Sequence, residues 1–148
     1  MDAAPTADPA VRIPTPDDAD ALARLMLDAY DGTIDYEGET IVEARDEVAR
    51  YFGGRPLLET SWLRVGGGEI VSALLASHWA GRGCPIVSYV MTSPRLKGTG
   101  AATELLARTL RSLADAGHDE VRAVITEGNL PSERLFLRAG FRRVESED

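Results

Sequence analysis

The stretch VMTSPRLKGTGAATELL, residues 90–106, decides the fold. Its first residues end an apolar run that begins at Pro85 and predicts a β-strand, and its last residues start a helical pattern. The turn between them contains Gly98 and Gly100. A strand that passes through a glycine turn into a helix can bind an anion, because free N–H groups point outward there and the helix dipole favours negative charge. The stretch therefore predicts an anion-binding loop.

Two cationic residues, Arg95 and Lys97, lie in the same turn, and Lys97 is the only lysine among 16 lysine and arginine residues. A plain strand-to-helix turn also needs glycine for its backbone, so that interpretation stays open beside the anion site. A P-loop is excluded, since no Gly-x-x-x-x-Gly-Lys string followed by Ser or Thr occurs. A dinucleotide fingerprint is excluded because Thr103 stands where a third Gly or Ala is needed.

The pattern outward from this stretch predicts an α/β fold of the mixed α+β kind. Val121 to Thr126 is an apolar run typical of a buried parallel strand, so strand, helix and strand form a crossover unit. The other predicted elements, in chain order, are a strand at Val11 to Pro14, a helix from Pro16 to Tyr30, a helix from Thr40 to Gly53, strands at Ser61 to Val65 and Glu69 to His78, a helix from Asn129 to Ala139 and a strand at Phe141 to Glu145. We expect a central mixed sheet of about six strands with four helices.

The composition limits the architecture and the class of function. A chain of 148 residues with 44% hydrophobic residues fits one domain, which we place at residues 11–148 after a disordered tail at 1–10. The single cysteine, Cys84, cannot form an internal disulfide, and no Cys/His cluster suggests a metal site. A net charge of -8 argues against a nucleic-acid partner. Without a long apolar run or a secretory signal at its start, we expect no membrane partner and a cytoplasmic location.

The negative charge is concentrated in one segment. Between Asp31 and Glu47 there are seven acidic residues and one basic residue. A solvated loop with helix-capping acids produces such a run, and so does a surface that attracts a cationic ligand. Both interpretations remain open for this segment.

A second motif, NLPSERLFLRAGF, occupies residues 129–141. With Arg95-x-x-Gly98-x-Gly100-Ala101 after a strand, it resembles the two cofactor motifs of the GNAT acetyltransferase superfamily, in the same order and with one strand between them. The second motif shares an Asn, a small residue three positions on, a Leu–aromatic pair, and Gly-Phe after the helix. With the leading helices and hairpin, the resemblance covers roughly residues 11–145.

The resemblance implies a sheet whose central parallel strands splay apart, so that acetyl-coenzyme A (acetyl-CoA) enters between them. Backbone groups at the end of the strand would contact the pantetheine arm and polarise the thioester carbonyl, and the glycine turn would hold the pyrophosphate. Asn129 would reach the pantetheine, while Ser132 and Phe136 would flank the thiol end. The implied cofactor-binding residues are Val90, Met91, Thr92, Arg95, Leu96, Lys97, Gly98, Thr99, Gly100, Ala101, Asn129, Ser132 and Phe136.

The sequence departs from the family pattern at two points. Phe136 stands where many members have a Tyr that protonates the departing thiolate. The proton could then come from Ser132, Tyr89, Tyr36 or a water. Alternatively the thiolate leaves without a proton donor, which is possible because a thiol has a pKa of about 8.5. The chain also ends at Asp148, where family sheets commonly have one more strand, so we expect an edge that is missing or completed by a partner chain, as in a homodimer.

An amine acceptor must lose a proton before it attacks, because an alkyl ammonium has a pKa of about 10.4. The predicted catalytic residues are Glu37, Glu127 and Ser132, and the predicted acceptor-binding residues are Asp35, Tyr36, Glu37 and Glu39. We expect an acetyl-CoA-dependent N-acetyltransferase that acts on a small primary amine by direct attack in a ternary complex. The amine would be cationic if the acid-rich segment lines its site. The alternative is a coenzyme A-binding sensor or subunit without turnover.

Overall fold

The computed structural model describes residues 10–31 and 38–144 of the chain. The described residues form one mixed sheet of five strands, whose order in space follows the sequence. The strands are β1 (Val11–Arg12), β2 (Trp62–Gly66), β3 (Glu69–Trp79), β4 (Cys84–Thr92) and β5 (Arg122–Ala123). Neighbouring strands pair antiparallel from β1 to β4, and β5 pairs parallel with β4. The predicted mixed α/β class is confirmed.

The described part of the chain contains four α-helices: α1 (Ala19–Tyr30), α2 (Ile41–Gly53), α3 (Ala101–Asp115) and α4 (Leu130–Arg138). The start of α2 carries a capping box. The Thr40 hydroxyl accepts from the Glu43 amide at 3.2 Å, and the Glu43 carboxylate accepts from the Thr40 amide at 2.9 Å. α1 starts later than predicted, because a short 3₁₀ turn at Pro16–Asp18 precedes it.

The helices cover both faces of the sheet. α1 and α2 enclose one apolar cluster, which includes Leu75 and Met91, and α3 and α4 enclose a second cluster around Leu74 and Leu105. Leu74 and Leu75 are neighbours on β3 and are both 0% exposed, so the central strand is buried on its two faces. The result is a three-layer arrangement of helices, sheet and helices.

The C-terminal part of the sheet is smaller than predicted. The strand expected at Phe141 to Glu145 is wrong, since residues 141–144 lie outside any helix or strand, and Glu145 lies outside the described residues. Phe141 instead packs edge-to-face on Phe136, with ring centroids 5.0 Å apart, so its burial comes from α4. The strand expected at Val121 to Thr126 is reduced to β5, and Val124 beyond it is 74% exposed.

Residues 1–9 of the predicted tail lie outside the described residues, while the carbonyl of Ala10 accepts from the Val65 amide at 2.7 Å. Within residues 10–31 and 38–144, no helix is both long enough and apolar enough to span a membrane. Over the same ranges no group of three or more His, Cys, Asp or Glu side chains could hold a metal ion.

Candidate functional site

The sheet opens between β4 and β5. β4 pairs with β3 along its whole length, but it pairs with β5 only at Ile86 and Val87. β5 ends at Ala123, after which the described chain leaves the sheet. From Ser88 onward the outer edge of β4 therefore has no strand partner among the described residues. This edge forms one wall of a slot, which we call the β4–β5 slot.

A β-bulge marks the closed end of the slot. Tyr89 lies opposite Leu75 on β3 and Val87 lies opposite Ala76, so Ser88 is an extra residue in β4. The Ser88 hydroxyl donates to the hydroxyl of Ser77 across the two strands, at 2.9 Å. A bulge bends its strand and redirects the neighbouring side chains. Here it falls where the pairing with β5 ends, so the bend and the start of the slot coincide.

Backbone groups of β4 face the slot in a regular pattern. The Ser93 amide donates to the Val71 carbonyl at 2.8 Å, which makes these two residues a hydrogen-bonded pair. Since such pairs alternate along an antiparallel ladder, the peptide groups of Met91 also face β3. Those of Val90 and Thr92 point the other way, toward the open edge. Of the three strand residues expected to contact the pantetheine, two thus present backbone groups to the slot.

The slot leads into the glycine turn before α3. Gly98 and Gly100 have φ of 82° and 89°, and Gly100 is the N-cap of α3. A Cβ added to either glycine would meet no atom within 4 Å, so open space lies beside both. The first N–H groups of a helix have no partner within it, and those of Ala101 and Ala102 bond to no acceptor in the described chain. The turn offers N–H donors and has no side chain at Gly98 or Gly100, which fits a phosphate group.

The two cations of the turn are placed differently. The Lys97 ammonium donates to the carbonyl of Ala29 near the end of α1, at 3.0 Å. Lys97 therefore ties the turn to α1 and also neutralises the negative end of that helix. The Arg95 guanidinium lies 3.9 Å from the Glu69 carboxylate, and both side chains are largely exposed. Arg95 is free to turn toward an anion, whereas Lys97 must release the Ala29 carbonyl to do so.

The second motif forms α4 and the turn that precedes it. The Asn129 side chain caps the helix by accepting from the Ser132 amide at 3.2 Å. Phe136 is 5% exposed and packs in the apolar cluster under α3, where Val87 and Val90 also lie. Phe136 therefore belongs to the same apolar cluster as two β4 residues close to the bulge.

A shallow, open depression of about 400 Å³ lies on the α2 face of the sheet, and we call it the α2 cavity. Its lining comes from one helix and two strands: Glu47, Arg50, Tyr51, Ser77, Ile86, Ser88 and Tyr89. Ser88 belongs both to this lining and to the start of the β4–β5 slot. The cavity and the slot therefore meet at Ser88.

Tyr89 connects the cavity to α2. Its hydroxyl donates to a carboxylate oxygen of Glu47 at 2.7 Å, and its ring meets that of Tyr51 edge-to-face with centroids 6.2 Å apart. Burial raises the pKa of Tyr89 well above the usual tyrosine range, and the hydrogen bond to Glu47 and the charge of that carboxylate add to the shift. The hydroxyl therefore stays protonated and remains a donor at neutral pH.

The predicted catalytic and acceptor-binding residues are only partly described. Asp35, Tyr36 and Glu37 lie outside the described residues. Glu39 is half-buried just before α2, and Glu127 is exposed in the turn before α4. Ser132, in the first turn of α4, is half-buried. None of the last three lines the α2 cavity.

Sequence reasoning missed Glu47 and Arg50. In the helical pattern of α2 they appear as ordinary charged residues, beside the buried positions Val48 and Tyr51. A carboxylate at the border of an apolar stripe is a weak signal, since most such residues face solvent. Only the meeting of α2 with β4 gives Glu47 its partner.

A family model described as an acetyltransferase (GNAT) domain matches residues 10–142. No curated protein matches the chain. Many solved structures share the fold over most of the chain.

A ribosomal-protein-alanine N-acetyltransferase from Brucella melitensis is 23% identical, with a TM-score of 0.70 over 91% of this chain and 85% of that one. A GNAT family acetyltransferase from the same organism, solved in complex with acetyl-CoA, is 20% identical, with a TM-score of 0.69 over 90% and 82%. An aminoglycoside 6'-N-acetyltransferase from Acinetobacter haemolyticus is 12% identical, with a TM-score of 0.69 over 93% and 94%. At these identities the likeness is one of fold.

Proposed function

Because the chain belongs to the GNAT acetyltransferase family over residues 10–142, we propose that it transfers the acetyl group of acetyl-CoA to the primary amine of a small substrate. The amine attacks the thioester directly while both substrates are bound. A C–N bond forms, the C–S bond breaks, and the products are an acetamide and coenzyme A. The observation that carries the proposal is the continuous path from the open edge of β4, through the glycine turn, to the start of α3.

The open edge of β4 suits the pantetheine arm. That arm carries two amides, each with one N–H donor and one carbonyl acceptor. Val90 and Thr92 offer matching peptide groups on the same edge, about 7 Å apart along an extended strand. The arm then adds to β4 as a short extra strand, in the manner of peptides that bind a sheet edge. Because Met91 faces β3, its backbone would not take part.

The pyrophosphate would lie in the glycine turn, within residues 95–101. The N–H groups of Gly98 and Ala101 have no acceptor in the described chain, and the exposed guanidinium of Arg95 is near enough to turn toward them. Lys97 would contribute by its positive charge. Asn129 would reach the pantetheine arm, and Ser132 and Phe136 would flank the thiol. The position of Phe136 in the cluster that contains Val87 and Val90 supports this arrangement.

The acetyl group would reach the bulge at Ser88, where the slot meets the α2 cavity. The amine would enter from that cavity, and the acid-rich segment at residues 31–47 would favour its approach as a cation. A strand amide, from Val90 or Thr92, would stabilise the negative charge that develops on the thioester oxygen. The leaving thiolate takes one proton to become coenzyme A.

Several side chains could remove the proton from the amine. Glu37 and Glu127 are the candidates from the sequence, with Ser132 as a proton donor, and Glu47 is added by its position in the α2 cavity. Glu47 has the better support, because Tyr89 holds it at the rim of the bulge. The conservative variants Glu37→Gln, Glu47→Gln and Glu127→Gln separate these roles. Only the variant of the true base should lose the low-pH limb of the pH–rate profile.

The primary test combines binding and turnover. Calorimetry should detect coenzyme A binding to the protein, and a thiol-release assay with acetyl-CoA should respond to added amines. The double variant Lys97→Glu, Gly98→Trp should lose binding, since it reverses a charge and fills the turn. Retained binding in that variant would overturn the proposed cofactor site. Release of thiol without any acetylated amine would indicate a hydrolase instead.

A coenzyme A-binding module without turnover is the second candidate. The observation that favours it is Phe136, which supplies no proton to the thiolate. This candidate predicts tight coenzyme A binding with no thiol release for any amine. Acetylation of even one amine at an enzymatic rate would exclude it.

A further inference from the structure

The α2 cavity contains one carboxylate and one guanidinium, and this pairing bears on which amines the protein accepts. Glu47 and Arg50 are three residues apart on α2, a spacing at which opposite charges commonly pair. Here they do not pair with each other, since the Glu47 carboxylate instead accepts the hydroxyl of Tyr89 at 2.7 Å. Glu47 still has a second carboxylate oxygen that can accept from an ammonium group.

Arg50 makes no hydrogen bond or ion pair with any described residue, although its charge is felt at Tyr89. The other arginine of α2, Arg45, does have a carboxylate partner. Arg45, one turn earlier, lies 2.7 Å from Asp20. Arg50 is exposed and lines the cavity, so its guanidinium donors, in the planar arrangement that fits a carboxylate, are available to a ligand there.

From these contacts we infer that the acceptor is an amine that also carries a carboxylate, such as a free amino acid. The inference rests on the proposed function and names the substrate class for the same site. The ammonium group would lie against Glu47, near the bulge, and the carboxylate would lie against Arg50. A volume of about 400 Å³ accommodates a molecule of that size.

The same geometry disfavours amines that carry only positive charge. A diamine would place its second cation beside Arg50, where like charges repel. A simple alkylamine would leave the guanidinium without an anion. The acid-rich segment at residues 31–47 would attract all of these cations, so the selection is made inside the α2 cavity.

The test compares amino acids with the amines that remain when their carboxylate is removed: alanine with ethylamine, phenylalanine with phenethylamine, and lysine with cadaverine. We expect kcat/KM for the preferred amino acid to exceed that of its amine by about tenfold or more, as one good charged pair allows. Arg50→Gln should abolish most of this ratio. Arg45→Gln, on the same helix but outside the cavity, should leave it unchanged.

Equal or better use of the decarboxylated amines would overturn the inference while acetyl transfer itself stands. If no acceptor releases thiol, the proposed function fails, and binding decides the inference separately. Calorimetry of the same amino acids against the coenzyme A complex should then show binding that Arg50→Gln weakens. Absence of amino acid binding to the wild-type complex would refute it.

Discussion

Replacing Gly98 by alanine tests the cofactor site with an unusually close control elsewhere in the chain. Gly98 has φ of 82° and Gly68, in the turn between β2 and β3, has φ of 80°. A Cβ at either position meets no atom within 4 Å, so neither substitution creates a clash. Alanine in this left-handed conformation costs roughly 1–2 kcal/mol, and we expect both variants to lose that much free energy of unfolding.

The difference between the two variants lies in ligand binding. The space beside Gly98 is where the pyrophosphate is proposed to lie, whereas Gly68 is not among the residues proposed to contact the cofactor, although its neighbour Glu69 approaches Arg95. We expect Gly98→Ala to raise the Kd for coenzyme A by about tenfold or more, equivalent to about 1.4 kcal/mol, with Gly68→Ala unchanged. Both should lower Tm by a similar amount, about 2–8 °C for a chain of this size.

Calorimetric titration with coenzyme A and thermal unfolding of the free proteins provide the two measurements. The comparison requires that the two alanine variants lose the same free energy of unfolding. The similar φ values of the two glycines predict that they do. If both variants unfold alike and both bind coenzyme A as the wild type does, the glycine turn does not contact the pyrophosphate. The proposed cofactor site would then be refuted.

Three further predictions concern single side chains. The hydrogen bond from Arg12 lowers the pKa of Asp18 in the folded protein. Asp18 therefore stabilises the fold above its unfolded pKa, and this stabilisation is lost as the pH falls through the folded pKa. Urea unfolding at several pH values in that range should show the loss, and the Asp18→Asn variant should show a weaker dependence of its unfolding free energy on pH. Burial raises the pKa of Tyr51 to about 12 and raises the pKa of Tyr89 further. The two protonated hydroxyls therefore favour the folded state below the unfolded tyrosine pKa. This stabilisation is lost as the pH rises beyond about 10. An ultraviolet titration should therefore find two of the four tyrosines ionising late, and Tyr89→Phe should remove one of them. The Lys97→Met variant should lose about 0.5–1.5 kcal/mol of unfolding free energy, because it loses the hydrogen bond to the Ala29 carbonyl. It should also reduce the salt dependence of coenzyme A binding. An unchanged salt dependence would show that the Lys97 ammonium stays bonded to α1 when coenzyme A binds.

Local signals accounted for much of the fold. The helix that starts at Thr40 and the glycine turn at Gly98 depend on residues that are close in sequence, and the structure forms both. The strand predicted at Phe141 failed for the opposite reason. An apolar residue after a helix can pair with a strand or fold back on the helix, and Phe141 packs on Phe136. No local pattern distinguishes these outcomes, because tertiary contacts decide between them.

The candidate site likewise has parts that the local sequence predicts and parts that it does not. The glycine turn and the cap of α4 were predictable, since each is a contiguous motif whose backbone geometry follows from residue type. The α2 cavity was not, because Glu47 and Tyr89 are 42 positions apart and meet only when α2 packs on the sheet. The bulge at Ser88 was equally hidden, since it follows from the register between β3 and β4.

The brief pairing of β5 has a consequence for how the molecule opens in solution. Only two residue pairs join β5 to the antiparallel strands, so α4 and its flanking segments are attached mainly through the apolar contacts around Phe136. A unit secured in this way exchanges its amide hydrogens by sub-global opening, well before the rest of the protein unfolds. A ligand that binds both β4 and α4 would hold α4 against the sheet. Binding of such a ligand should therefore slow deuterium uptake along α4.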